Sequence, residues 1–188
     1  MKRETTDVRV LQVEIRAADE TKGEIVGRVA PFGEWSAQNN YLESFDEHSF
    51  ARSVAGSGGN IPLLLHHEHD SMPIGRPVAW DTKKDGLYGT FKVDRDSERG
   101  AEAWRLMDDQ FIRGLSVGFT PDADADKKIL DDPDGVPRIV RRNAKLREVS
   151  LVSVPAYDAA QVLLTRSSPL HRAPDPRIKA YRHMFGVS

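Results

Sequence analysis

The chain has 188 residues, 39% of them hydrophobic and 30% charged, with a formal net charge of -2 and no cysteine. That length holds one domain with a real core, and the near-neutral balance offers no strong field to nucleic acid or to an anionic membrane surface. The missing cysteines exclude disulfide staples, thiolate metal sites and a cysteine nucleophile. No stretch approaches the roughly 20 apolar residues of a membrane-spanning helix, and Met1-Lys2-Arg3-Glu4-Thr5-Thr6-Asp7 does not lead into the apolar run of a secretory leader. A cytosolic protein is expected.

In chain order, Val8, Val10, Val13 and Ile15 form a β-rich run whose alternation breaks at Leu11-Gln12, as a bulge would break it. Thr21-Lys22-Gly23 is a turn signal, and residues 24–32 read as the next strand. Residues 45–54 suit a short helix with Asp46 as N-cap and Phe50 and Val54 on one face, ended by Gly56-Ser57-Gly58-Gly59. Residues 60–67 read as a compact apolar strand ending in histidines.

A hairpin follows, with arms 74–82 and 87–93 around Lys83-Lys84-Asp85-Gly86, where Asp-Gly suits the positive φ of a tight turn. Asp96 or Ser97 can cap the strongest helix, with Ala101, Trp104, Met107 and Phe111 as its buried stripe and Gly114 at its end. Residues 115–120 form a strand. The acidic stretch 122–126 reads as a solvated loop, residues 128–130 and 138–142 pair across a turn, and 145–154 is a long strand stopped by Pro155. A domain over 1–165 and a polar tail over 166–188, rich in proline and basic residues, complete the chain. About eight strands with two helices fit a mostly antiparallel barrel or an α+β domain.

Three segments carry residues able to do chemistry. A histidine follows Pro62-Leu63-Leu64-Leu65, a serine lies in Gly114-Leu115-Ser116-Val117-Gly118-Phe119, and a carboxylate lies in Arg147-Glu148-Val149-Ser150-Leu151-Val152. A base, a hydroxyl and an orienting carboxylate are the parts of a serine hydrolase. Gly114 to Gly118 matches the G-x-S-x-G nucleophile elbow in spacing alone. No helix signal follows Ser116, and the only later histidines, His171 and His183, lie in the tail.

Each candidate has a plainer explanation. Ser116 can be a small residue in a packed strand, with its flanking glycines leaving room for a substrate backbone under the functional reading. Glu148 can be an ion-pair partner of Arg141, Arg142 or Arg147. His66-His67-Glu68-His69-Asp70 suggests two imidazole ligands, His67 and His69, on one strand face, but no third ligand follows, and no metal or other cofactor is expected. Asp122-Ala123-Asp124-Ala125-Asp126 opens like a calcium loop and then fails, with Lys127 where glycine is required and Pro133 where glutamate is required.

Taken together, the segments resemble the phage prohead serine proteases of the HK97 type, themselves related to the herpesvirus assemblin proteases. The resemblance runs from about Gly23 to Val162. It rests on Gly27-Arg28-Val29-Ala30-Pro31-Phe32, Phe45 to Phe50, Pro62 to His67 followed by Pro73-Ile74-Gly75, Asp85-Gly86-Leu87, Gly114 to Phe119, and Glu148 to Ala156. It implies a closed antiparallel β-barrel flanked by short helices, and His67, Ser116 and Glu148 as catalytic residues, with His69 an alternative to His67. By analogy with the herpesvirus enzymes, a backbone N–H near Ala156 would serve the oxyanion hole.

The implied activity is that of a serine endopeptidase that cleaves capsid scaffolding segments during phage head maturation and then cleaves itself. Its implied substrate partner is the major capsid protein with its scaffold segment, and a homodimer is compatible with the analogy. The implied location is the procapsid in the bacterial host cytoplasm, with a phage or prophage gene as source. A non-enzymatic assembly module that keeps the fold, and an esterase or amidase, are the competing classes.

Overall fold

The computed structural model of the chain describes residues 7–11, 15–19, 22–38, 41–57, 60–129 and 136–153. In chain order the elements are β1 (Asp7–Leu11), β2 (Ile15–Asp19), β3 (Glu24–Pro31), β4 (Ser36–Ala37), β5 (Leu42–Phe45), α1 (Ala51–Ser57), β6 (Leu63–Leu65), β7 (Gly75–Lys83), β8 (Gly86–Val93), α2 (Glu98–Asp108), β9 (Gly114–Pro121), β10 (Lys127–Ile129), β11 (Arg138–Arg141) and β12 (Ala144–Val152). An eight-stranded sheet runs β1-β9-β12-β6-β7-β8-β3-β2, and a four-stranded sheet runs β10-β11-β5-β4.

The mostly β character with few helices is as expected. Closure is not. No ladder joins β1 to β2 among the described residues, so the large sheet is a curled half-barrel with two edges, where a barrel requires its hydrogen bonds to close on themselves. The curl has a covalent cause. Leu11 and Ile15 end and begin the two edge strands, and four peptide steps reach at most about 14 Å. The N-terminal run is therefore two strands on opposite edges, rather than one bulged strand. Bulges in the β3–β8, β7–β8 and β9–β12 ladders add local twist. The pairing is also mixed, because β6 joins β12, and β5 joins β11, in parallel.

Beside the curl lies the second sheet, tied to it where Phe32 bridges Phe45. Phe45, Phe50 and Phe119 meet with ring centroids 5.0 to 6.0 Å apart and join the two sheets in one core with Leu115, Val117, Val149 and Leu151. The expected helix over 45–54 starts only at Ala51. Phe45 belongs to β5, and Asp46 instead accepts from the His48 N–H in the turn between them. Ser97, rather than Asp96, caps α2 by accepting from the Gly100 N–H at 3.1 Å. That helix buries Gly100 and Ala103, leaves Ala101 exposed, and stops at Asp108, so Phe111 lies beyond it and is 65% exposed. Gly114 opens β9 instead of ending the helix. The 84–85 hairpin forms as expected, but Gly86 is not at positive φ. A Cβ there would stand 2.5 Å from the Ala30 carbonyl oxygen, so close strand approach is what requires glycine.

The acidic stretch is not a solvated loop. Asp126 has a fully buried side chain and pairs with Arg141, whose Nε also donates to Glu43 at 2.6 Å; Asn143 donates to Asp122 at 2.7 Å. One guanidinium thus joins β11, β5 and the turn before β10. Burial holds the Asp126 carboxyl above the ordinary aspartate range against the opposing pull of Arg141. Arg141→Met leaves two buried carboxylates without their cation and is expected to cost about 3–5 kcal/mol in urea unfolding.

The pH dependence of this cluster has a definite sign. A raised folded-state pKa contributes stability that is complete below the ordinary aspartate value of 3.8 and is lost as pH rises through the folded value. Urea midpoints of Asp126→Asn are therefore expected to fall less steeply than wild type as pH rises above that value.

Candidate active site

Alternation along β9 sends Leu115, Val117 and Phe119 to the core and puts Ser116 and Gly118 on the other face. Antiparallel pairing sets Ser116 opposite Ser150 and Gly118 opposite Glu148 on β12, and directly opposed residues point to the same side. The arrangement depends on glycine at 118. A Cβ there would overlap the Glu148 carboxylate and stand 2.9 Å from its Cγ. Glu148 is 1% exposed and Ser116 and Ser150 are 0% exposed. A carboxylate and two hydroxyls therefore share one dry face, and the carboxylate lies over the bare backbone of Gly118.

The strand β6 runs parallel to β12 and ends at Leu65, which delivers the next residues to that face. His66 and His67 have φ of 48° and 60°, and the Glu68 N–H donates to the Leu65 carbonyl at 3.0 Å. Two successive positive φ values inside such a hydrogen bond are the signature of a type I′ turn, which asparagine and glycine favour over histidine. The turn is pinned to β12 at two points: His66 N–H donates to the Leu151 carbonyl at 2.9 Å, and His67 N–H donates to Ser150 Oγ at 3.2 Å. Thus held, His67 brings Nδ1 to within 2.6 Å of Glu148 Oε1. The second carboxylate oxygen, Oε2, accepts from Ser150 Oγ at 2.6 Å. The His67 Nε2 atom is buried and has no hydrogen-bond partner among the described residues.

A half-buried histidine on a buried carboxylate, with a serine on an adjacent strand, has the residue types that a serine hydrolase site needs. Residues 11–172 match the family described as caudovirus prohead serine protease. The chain belongs to that family. It is 25% identical over 119 residues to the prohead protease of Enterobacteria phage HK97, a match that covers 63% of this chain and 51% of that protein. The chain thus spans about half the length of that curated relative. In fold it is similar to the bacteriophage T4 capsid assembly protease, with a TM-score of 0.56, 12% identity, and coverage of 82% of this chain and 100% of the other.

Within this prohead-protease chain, His67 and Glu148 are in direct contact, and Ser116 stands one strand away on the same face. His69 is exposed in the following loop, where its N–H donates to the His67 carbonyl. Ala156, and the tail boundary after residue 165, lie outside the described residues. Arg141 pairs with Glu43 and Asp126, and Arg147 donates to Thr120 at 2.9 Å, while Glu148 is held by His67 and Ser150. The two-histidine metal face does not form, because the strand stops at Leu65 and His67 lies in the turn.

Ser116 lies on a strand, as the motif GLSVGF implies, but the room beside it has another use: Gly118 makes space for Glu148 rather than for substrate backbone. Ser150 was passed over, although its position two residues after Glu148 in a strand was enough to put both on one face. Gly118→Ala is expected to displace the Glu148 carboxylate and to cost about 1–3 kcal/mol by urea unfolding, the usual range for overfilling a packed site.

Proposed function

We propose that the chain is a serine endopeptidase that cuts the scaffolding segment of a phage major capsid protein during head maturation. Ser116 is its nucleophile, His67 its base and Glu148 the residue that orients the base. The observation that carries this reading is the 2.6 Å contact between His67 Nδ1 and Glu148 Oε1, with Nε2 buried and unpartnered. An ionised carboxylate only accepts hydrogen bonds, so in neutral His67 the proton sits on Nδ1 and Nε2 keeps its lone pair for a hydroxyl proton.

The reaction follows from those roles. Ser116 Oγ attacks the peptide carbonyl as its proton passes to His67 Nε2, and Glu148 stabilises the imidazolium that forms. Collapse of the tetrahedral species expels the amine, which takes the proton from Nε2 and leaves an acyl-enzyme. Water then attacks the acyl carbonyl as its proton passes to the same nitrogen, and collapse breaks the ester bond, with Nε2 returning the proton to Ser116 Oγ as the acid leaves. The oxyanion requires donors, each worth on the order of 3 kcal/mol; the backbone N–H near Ala156 is the one assigned here. Ser116 has no exposed surface, so catalysis includes an opening step that admits the substrate carbonyl.

Membership of the prohead protease family supports the substrate, and the names of the HK97 and T4 relatives point the same way. The reaction is placed inside the procapsid in the host cytoplasm, with self-cleavage afterwards, and the tail over 166–188 is the first place to look for the cut.

Co-expression with the cognate capsid protein, followed by the mass of the capsid subunit, tests this. Wild type is expected to trim the subunit and Ser116→Ala to leave it whole. His67→Ala and Glu148→Gln are expected to slow trimming by roughly 10³-fold or more. Trimming by Ser116→Ala would assign the cut to another nucleophile. A folded wild type that trims no assembled cognate capsid would favour the non-enzymatic assembly module.

A further inference from the structure

A wholly buried hydroxyl makes two contacts that the reaction above leaves unused. Ser150 Oγ donates to Glu148 Oε2 at 2.6 Å and accepts from the His67 N–H at 3.2 Å. The hydroxyl has one hydrogen to give and lone pairs to receive, so both contacts exist together. The first occupies the carboxylate oxygen that His67 does not use, so Glu148 cannot turn its carboxylate without breaking hydrogen bonds at both oxygens. The second fixes the backbone of a histidine held at φ 60°, a left-handed conformation that is unfavourable for a residue with a Cβ. One side chain thus fixes both partners of the His67–Glu148 pair from opposite sides.

Resting on the serine-protease reading, we propose that Ser150 is a positioning residue of this site. It holds the Glu148 carboxylate and the His67 backbone in the register that puts Nδ1 on Oε1. Water cannot replace it, because β12 is flanked by β6 and β9 and the position is 0% exposed. Loss of a single oxygen there leaves a gap too small for a water molecule. The His67 N–H and Glu148 Oε2 would then both lose the partner that satisfies them in a dry interior.

The test measures the rate at which a small fluorophosphonate modifies the full chain, read by intact mass, with Ser116→Ala as the control that takes no label. This readout reports activation of the nucleophile without peptide binding. Ser150→Ala is expected to slow labelling about 10–100-fold, the effect of losing one hydrogen bond to a charged group. Ser150→Thr, which keeps the hydroxyl, is expected to stay within a few-fold of wild type.

The deciding comparison is Ser150→Ala in the Glu148→Gln background. A residue that acts by holding the His67–Glu148 pair in register adds little once that pair is broken, whereas an independent packing defect multiplies the loss. If Ser150→Ala does not fold, Ser150→Cys, a weaker donor of similar shape, takes its place with an intermediate slowing expected.

Wild-type labelling rates in folded Ser150→Ala, or losses that multiply fully in the double variant, would overturn the positioning role while leaving the nucleophile in place. A folded wild type that takes no label at Ser116 would overturn the serine-protease reading, and this proposal with it.

Discussion

The Glu148 carboxylate is the constraint around which this half of the molecule is arranged. A buried carboxylate is tolerated only where hydrogen bonds replace the water it has lost. Here Oε1 has His67 and Oε2 has Ser150, and the side chain has space only because residue 118 lacks a Cβ. Each of those partners lies on a different stretch of chain, so satisfying one carboxylate fixes the relative positions of β9, β12 and the turn after β6. The chemistry at His67 and the packing of the sheet centre are one problem with one solution.

The rest of the fold supplies rigidity where that solution needs it. Behind β9, the rings of Phe45, Phe50 and Phe119 fill the opposite face, so a shift of Ser116 or Gly118 would also disturb the core. The second sheet is fastened by Arg141, which gathers the buried carboxylates of Glu43 and Asp126. Burying a carboxylate has a cost even beside a guanidinium, and the raised pKa of Asp126 reflects that desolvation, with the Glu43 charge adding to it. At Glu148 the partners are instead a histidine and a hydroxyl, so no permanent cation neutralises it, as the proposed stabilising of an imidazolium during turnover requires.

Strain and burial concentrate at the same place. Two consecutive histidines occupy the left-handed region at the end of β6, where asparagine and glycine would sit at lower cost. The conformation persists because two hydrogen bonds from β12 hold it. A turn held from outside in this way aims an imidazole ring more firmly than a relaxed loop could. Ser116 is fully buried as well, so the proposed mechanism requires this face to open before a peptide can reach it.

The sequence by itself determined the mostly β class and which residue types are present to react. Periodicity marked the β7–β8 hairpin and the long β12, and the family resemblance carried by LLLHH, GLSVGF and EVSLV implied Ser116, Glu148 and either His67 or His69 as site residues. It also assigned the neutral balance and the absence of thiol chemistry. Tertiary structure alone decided the long-range pairings, β1 with β9, β5 with β11 and β6 with β12. The run of Val8 to Ile15 looks like one strand because local alternation carries no information about partners, yet its two halves lie on opposite edges of the curled sheet. Asp126 reads as a solvated loop residue and Arg141 as a partner for Glu148 until the fold buries the two against each other.

The same limit governed the site. Gly118 could have served substrate or structure, and only the cross-strand register put the Glu148 side chain over it. His66 and His67 read as strand residues because the three leucines before them are apolar, and a type I′ turn built on histidines has no local signal. Local chemistry names the groups that can react; long-range pairing sets which of them meet, because contacts between residues about 80 positions apart are fixed by the sheet and not by their neighbours.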